Sequence, residues 1–243
     1  MYVTAIVLAA GRGLRFNLKI SKPLVEINSQ ALIVYCLNTL SKHPYIRDII
    51  VVVNSRNLEG VLSKIRQYRI AKIKDVVLGG RLRQDSVRNG LKVMDSLTDL
   101  VLIHDGVRPF IDKELVSALV NAAKKSGAAI AGVPVKATIK KVKRQGLRSM
   151  GKPVVEKTIN RNNLWEIQTP QVFRKDLILK AYGRFGNVDV TDDAMLVEKL
   201  GAKVSVVLGS SDNIKITTLE DLVIAEAILK AQGVQYAEPR LKI

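Results

Sequence analysis

Three short stretches hold residues that could do chemistry. In the first, Ala9-Ala10-Gly11-Arg12-Gly13 runs into Arg15, Lys19 and Lys22 with no acidic residue among them. Glycines let main-chain N–H groups come close to phosphate oxygens, and the cations supply matching charge, so the loop suits a polyphosphate. It is not a dinucleotide fingerprint, because Phe16 stands where a third glycine belongs, nor a Walker A loop, because no Gly-Lys-Ser/Thr closes it. A glycine turn with solvated cations is the plainer reading of the same residues. In the second stretch, Gly79-Gly80-Arg81-Leu82-Arg83-Gln84-Asp85-Ser86 offers close backbone approach and a hydroxyl. In the third, His104-Asp105-Gly106-Val107-Arg108-Pro109 sets a carboxylate near a guanidinium. Asp105 could ligate a hard cation such as Mg²⁺ and Arg108 could fork onto a phosphate, or the two could form an internal salt bridge. His104 reads as a histidine satisfied within the fold.

The elements that must position these loops are legible in the apolar pattern. Ile6-Val7-Leu8, Ile49 to Val53, Val76-Val77-Leu78, Leu100 to Ile103 and Val204 to Leu208 are rich in β-branched residues and lack polar alternation, which predicts strands buried on both faces. Helical patterns lie between them. Leu115, Leu119 and Ala122 follow Asp112 and stop near Gly127, and Thr218-Leu219-Glu220-Asp221 opens the run to Leu229 as a capping box. Such alternation predicts an α/β fold of Rossmann-like, doubly wound type, with a mostly parallel sheet and helices on both faces. In that architecture ligands sit at the carboxyl ends of strands, where the three stretches fall. Residues 136–161 break the pattern: Thr138, Ile139 and Val142, then Val154, Val155, Thr158 and Ile159, flank a turn region around Gln145-Gly146 and Gly151. This predicts a protruding β-hairpin too polar to be core, either a solvated excursion or an arm toward another subunit or the substrate. We expect one domain over residues 1–231 that contains this arm, then a tail over 232–243.

Composition narrows the partners. The 243 residues carry 39 Lys+Arg against 22 Asp+Glu, a formal net charge of +17, which favours anionic partners. The cations, among them Lys19, Lys64, Arg83, Lys124, Lys175 and Lys203, are dispersed, and aromatic residues make up only 5%. A basic stripe interleaved with stacking residues is therefore missing, which argues against nucleic acid, although a basic RNA-binding protein is the non-enzymatic alternative. One cysteine, Cys36, supports neither a disulfide framework nor a cysteine-rich metal site, so a cytoplasmic setting is expected. No run approaches the roughly 20 apolar residues of a membrane span.

Six motifs in order, "LAAGRGLRF", "GGRLRQDSV", "IHDGVRPF", "INRNNLWEIQTPQVF", "VTDDA" and "DNIKIT", resemble the 2-C-methyl-D-erythritol 4-phosphate cytidylyltransferases of the non-mevalonate isoprenoid pathway over nearly the whole chain. The resemblance implies a nucleotidyltransferase that joins CTP to a sugar-alcohol phosphate and releases pyrophosphate, with Mg²⁺ as cofactor. By the same resemblance Arg15 and Lys22 match the catalytic cations. Gly11 and Gly13 shape the triphosphate loop, and Ala9, Ala10, Gly80 and Ser86 match positions around the cytosine. Asp105 matches a carboxylate near ribose, metal and acceptor, and Lys215 a phosphate-side lysine. Arg108, Thr138, Arg161 and Thr191 match acceptor-binding positions. The arm is implied to cross to a second copy and complete its site in a homodimer. A related enzyme uses ribitol 5-phosphate, but its loop tends to begin Ala-Gly-Gly, whereas Ala9-Ala10-Gly11 sides with the methylerythritol enzymes.

Overall fold

The computed structural model describes residues 1–11, 20–144 and 152–233. Strand β1 (Val3–Leu8) is followed by a 3-10 turn (Lys22–Leu24), a short hairpin of β2 (Glu26–Ile27) and β3 (Gln30–Ala31), and α1 (Leu32–Lys42). Strand and helix then alternate through β4 (Ile46–Val53), α2 (Leu58–Gln67), β5 (Ile73–Leu78), α3 (Arg83–Lys92), β6 (Leu100–Asp105), α4 (Lys113–Ser126) and β7 (Ala128–Pro134). The chain continues through β8 (Ile139–Arg144), β9 (Pro153–Ile159), β10 (Trp165–Arg174), α5 (Lys175–Phe185), α6 (Ala194–Glu198), β11 (Ser205–Leu208) and α7 (Leu219–Ala231). Seven strands form one sheet in the order β11-β7-β10-β6-β1-β4-β5. Only β10 runs against its neighbours, pairing antiparallel with both β6 and β7.

Burial on both faces explains the unbroken apolar runs. In β1 the side chains of Ala5 and Val7 join one core, with α1, α2 and α4, while Ile6 and Leu8 join the other, with α3, α5 and α6. A smaller cluster seats Ala225 and Leu229 of α7 against Val25, Ile27, Leu32 and Phe110. The boundaries of α4 and α7 follow the capping chemistry. Asp112 accepts a hydrogen bond from the Leu115 N–H at 2.6 Å, and Gly127 ends α4 with φ of 88°, a left-handed geometry that suits glycine. Thr218 and Asp221 form the expected reciprocal box at the start of α7.

Two strands depart from the expected burial. β5 and β11 are half-exposed because they are the sheet's edges, each with a single neighbour in it. Two further strands are not marked by the apolar pattern at all. β7 is built of Ala128, Ala129, Ala131 and Gly132 because β10 lies tight against it; a Cβ at Gly132 would come 3.1 Å from Ile167 Cδ1. β10 itself reads as polar, with Gln168, Thr169 and Gln171 buried. The segment from Lys136 to Arg161 does form a hairpin, β8 paired antiparallel with β9 as a separate, largely exposed sheet. Its turn residues, Gln145, Gly146 and Gly151, lie outside the described residues. No helix of the described residues is long and apolar enough to cross a membrane.

Both histidines of the chain are buried. Burial lowers the pKa of His43, and it lowers that of His104 from its ordinary 6.5 to about 4. His104 Nε2 meets the carbonyl oxygen of Arg108 at 3.0 Å, and Nδ1 meets the Thr169 hydroxyl at 3.1 Å. Since a carbonyl can only accept, Nε2 carries the proton; Thr169 Oγ1 accepts from the Asp105 N–H at 3.0 Å and gives its own proton to Nδ1. The neutral ring is therefore the one the fold accommodates. Because the folded pKa is depressed, the unfolded chain binds more protons between about pH 6.5 and 4, and stability present above pH 6.5 is lost as pH falls through that window. We expect the urea midpoint to drop, with His104 alone contributing on the order of 3 kcal/mol by pH 4. A midpoint that stays level from pH 7 to 4.5 would contradict this account.

Candidate active site

The carboxyl ends of four adjacent strands, β5, β4, β1 and β6, open on one edge of the sheet, and the residues that follow them, joined by β10, Thr191, Asp192 and Lys215, line two cavities. The larger, about 1020 Å³, is bounded by Ala9 to Gly11, Lys22, the Gly79-Gly80 turn and Ser86. The smaller, about 310 Å³, is bounded by Arg108, Gln168, Thr191 and Asp192. Arg83, Asp105 and Lys215 line both.

Asp105 ends β6 and sits beside Leu8, the last residue of β1. Its side chain is 9% exposed, with Lys215 Nζ 2.7 Å from Oδ2 and Arg83 Nε 3.5 Å from Oδ1. Burial works against the charged carboxylate, but Arg83, Lys215 and then Arg108 outweigh it and hold the group far below the usual carboxylate range. Asp105 does not form the internal salt bridge with Arg108 that their spacing allowed. Arg108 instead donates from Nη1 to the carbonyl oxygen of Asn213 at 2.7 Å, its Nε makes no hydrogen bond, and burial lowers its pKa.

Arg83 is a correction to the picture of dispersed, solvated cations. It lies in the first turn of α3, and its Nη1 is 2.7 Å from Oδ2 of Asp193, which is wholly buried. Burial disfavours the guanidinium charge, yet Asp193 and Asp105 more than offset this and raise its pKa. The Tyr182 hydroxyl donates to the other oxygen of Asp193. A chain of contacts thus runs from α5 through Asp193 and Arg83 to the carboxylate shared by both cavities.

The loops are held by amides. Asn213 donates from Nδ2 to Gln168 Oε1 at 3.1 Å and to the Thr169 carbonyl at 2.9 Å, and Ile216 N–H donates to the Val107 carbonyl at 3.0 Å, which fixes the segment carrying Lys215 beside β6 and β10. In the second stretch the Ser86 hydroxyl accepts from the Gly80 N–H at 3.2 Å. A Cβ at Gly79 would fall 2.5 Å from that of Ala10 and 2.6 Å from Ser86 Oγ, so this turn requires glycine to let the β1 and β5 loops touch.

Of the residues singled out in the sequence, Ala9, Ala10, Gly11, Lys22, Gly80, Ser86, Asp105 and Lys215 all border the larger cavity. Asp105, Arg108, Thr191 and Lys215 border the smaller one. Thr138 and Arg161 border neither: both are exposed at the base of the β8–β9 hairpin, where Arg161 donates to the Lys136 carbonyl. Gly13 and Arg15, with Arg12 and Lys19, lie outside the described residues. Sequence reasoning gave no role to Arg83, Asp193, Asn213 and Gln168, although they lie within the quoted motifs, and passed over the pair Asn54 and Asn57. The signal available for the asparagines was their position directly after the β4 apolar run.

The fold and cavities can be set beside known proteins. Residues 3–231 match the family model described as 2-C-methyl-D-erythritol 4-phosphate cytidylyltransferase. The chain belongs to this family. A relative from Syntrophus aciditrophicus (strain SB), named 2-C-methyl-D-erythritol 4-phosphate cytidylyltransferase, is 44% identical over 95% of this chain and 97% of its own. One of the same name from Geobacillus kaustophilus (strain HTA426) is 43% identical over 96% of this chain and 99% of its own. The crystal structure of the 4-diphosphocytidyl-2C-methyl-D-erythritol synthase from Anaerococcus prevotii DSM 20548 superimposes with a TM-score of 0.80 at 36% identity, over 94% of this chain and 96% of that one. Cytidylyl transfer suits a site built of cations and main-chain groups, with the carboxylate shared by both cavities, Asp105, already ionised.

The Arg83–Asp193 pair yields a stability test. Asp193→Asn takes from the partly buried Arg83 guanidinium its nearer carboxylate and should cost about 2–3 kcal/mol, whereas Tyr182→Phe, which removes one hydrogen bond to the same carboxylate, should cost about 1 kcal/mol. Equal chemical denaturation midpoints for Asp193→Asn and wild type would show that the pair does not hold α3 against α5 and α6.

Proposed function

We propose that the chain joins CTP and 2-C-methyl-D-erythritol 4-phosphate to give 4-diphosphocytidyl-2-C-methyl-D-erythritol and pyrophosphate. The observation that carries this reading is the meeting of a large and a small cavity on Asp105, Arg83 and Lys215. The larger cavity takes the nucleotide and the smaller one the sugar-alcohol phosphate, which brings the two reacting phosphates to the shared residues. The names of the relatives favour methylerythritol phosphate over ribitol 5-phosphate.

The acceptor phosphate, with a second pKa near 6, is largely dianionic at pH 7 and needs no side-chain base. This agrees with a wholly buried, neutral His104. One oxygen of the acceptor phosphate bonds to the α-phosphorus of CTP as the bond from that phosphorus to the β-phosphate oxygen breaks, and pyrophosphate leaves with the electron pair. Bringing a dianion to a triphosphate is the difficulty, so positioning and cations dominate. Lys22 and Arg15 stabilise the transition state and the leaving pyrophosphate. Gly11 and Gly13 shape the loop, while Ala9, Ala10, Gly80 and Ser86 face the cytosine. Lys215 and Arg108 draw in the acceptor phosphate alongside Thr191.

For Mg²⁺, the described residues include no cluster of three or more metal-ligating side chains, but Asp105 is an ionised carboxylate at the cavity junction. Mg²⁺ is commonly held by one or two carboxylates plus substrate phosphates, and Asp105 fits that mode. When bound, the ion would neutralise phosphate charge. We further propose a homodimer in which residues 136–161 carry Thr138 and Arg161 to the partner's acceptor site. Their exposure, and their absence from the lining of both cavities of their own chain, support this reading. Residues 1–231 form one nucleotidyltransferase domain and 232–243 a tail, of which residues 234–243 lie outside those described. The lone cysteine, buried Cys36, is in keeping with a cytoplasmic enzyme.

Pyrophosphate release measured with Mg²⁺, each of the four nucleoside triphosphates and either methylerythritol 4-phosphate or ribitol 5-phosphate tests the reading; it should require CTP and the former acceptor. Release with ribitol phosphate alone would move the enzyme to polyol metabolism. Lys22→Ala and Arg15→Ala should each lower kcat by about 10²–10³ with the fold intact. Mixing Lys22→Ala with Arg161→Ala subunits should restore activity through heterodimers that keep one complete site, and a mixture as inactive as its parts would defeat the shared-site reading.

A further inference from the structure

Asn57 holds both flanks of the cation-bearing loop, and we propose that it is a positioning residue for nucleotide transfer. It stands at the N-cap of α2, where an asparagine commonly turns its side chain onto the first free N–H groups of its own helix. Here it makes no such bond. Its Nδ2 instead donates to the carbonyl oxygen of Ala9 at 2.8 Å and to Oγ of Ser21 at 3.0 Å. Its Oδ1 accepts from the Asn54 N–H at 2.9 Å. Both amide hydrogens and the carbonyl oxygen are thus used, in a side chain with no solvent exposure.

The two acceptors are what give this arrangement its meaning. Ala9 is the first residue after β1, and Ser21 is the residue before Lys22, so one rigid amide fixes where the loop departs from the sheet and where the chain returns to place Lys22 at the larger cavity. Asn54 adds a parallel tie from Nδ2 to the Ala10 carbonyl at 3.1 Å, and its Oδ1 accepts from the N–H groups of Arg56 and Asn57. With the Ala9 and Ala10 carbonyls drawn toward α2, these two peptide units are held in one orientation at the cavity wall. A buried, fully satisfied amide such as that of Asn57 is costly to build and specifies one geometry, which is what a transition-state cation needs. The inference rests on the cytidylyl-transfer reading and assigns it a residue that touches neither substrate: Asn57 acts through Lys22 and the Ala9-Ala10 backbone.

The test compares Ser21→Ala, Asn57→Ala, Lys22→Ala and the double variants, each checked for folding by chemical denaturation, with pyrophosphate release followed against CTP and against methylerythritol 4-phosphate. Ser21→Ala removes one neutral hydrogen bond at a half-buried position and keeps the core intact; kcat/KM for CTP should fall about 3- to 10-fold while KM for the acceptor is unchanged. Asn57→Ala also strands the Ala9 carbonyl and should lose about 10- to 100-fold. In the Lys22→Ala background Ser21→Ala should cause no further loss, an outcome that a merely structural role would not produce. An active wild type with Ser21→Ala kinetics unchanged, or with the same fractional loss in both backgrounds, overturns the positioning role alone. A wild type that releases no pyrophosphate from CTP overturns the underlying reading, and this role with it.

Discussion

The site depends on keeping one carboxylate ionised where the protein has little water. Asp105 is buried at the end of a central strand, and a lone carboxylate there would take up a proton rather than stay charged. Two cations from distant parts of the chain prevent this, Lys215 at 2.7 Å and Arg83 at 3.5 Å. Each cation then sets a requirement of its own. Arg83 is held by Asp193, which Tyr182 holds in turn, so α3 is tied to α5 and α6. Lys215 is held by the anchoring of Asn213 on β10, and β10 must run antiparallel between β6 and β7 for Gln168 and Thr169 to meet it.

The same constraint links fold and chemistry. The carboxyl ends of parallel strands expose main-chain groups that no further strand residue uses, and the loops leaving them can surround a ligand. In this chain those loops carry cations and glycines, and the side chains that could act as bases are locked into structural hydrogen bonds, His104 between Thr169 and Arg108 and His43 against α4. Such a site can gather and neutralise phosphates but has little with which to abstract a proton. Phosphate attack on a nucleoside triphosphate asks for the former and not the latter. The family to which the chain belongs and the chemistry that the cavities permit therefore agree.

What was legible in the sequence was local. Burial on both faces of central strands leaves an unbroken apolar run, so β1, β4 and β6 could be read directly, and the caps of α4 and α7 were readable because an N-cap or a left-handed glycine acts within a few residues. The glycine turns, the cations at strand ends and the polar hairpin were visible for the same reason. So was the set of motifs that points to the family. The half-exposure of β5 and β11 was not legible, because being an edge depends on strand order and not on a strand's own residues. β7 and β10 were hidden because one is made of small residues chosen by the tightness of its neighbour and the other is interrupted by two glutamines and a threonine that have partners only once folded.

The identity of the three stretches and their order along the chain was determined by the sequence itself, since residue type and spacing dictate which groups a strand end can offer. Their meeting was decided by tertiary structure alone. Asp105 lies beside Arg108 in sequence yet pairs with Arg83 and Lys215, and Asn57 caps no N–H of its helix yet binds Ala9 and Ser21. Buried polar groups must find partners wherever the packed chain supplies them, and the energy of a charge or amide in a low-dielectric interior is settled by distances across the fold rather than along the chain.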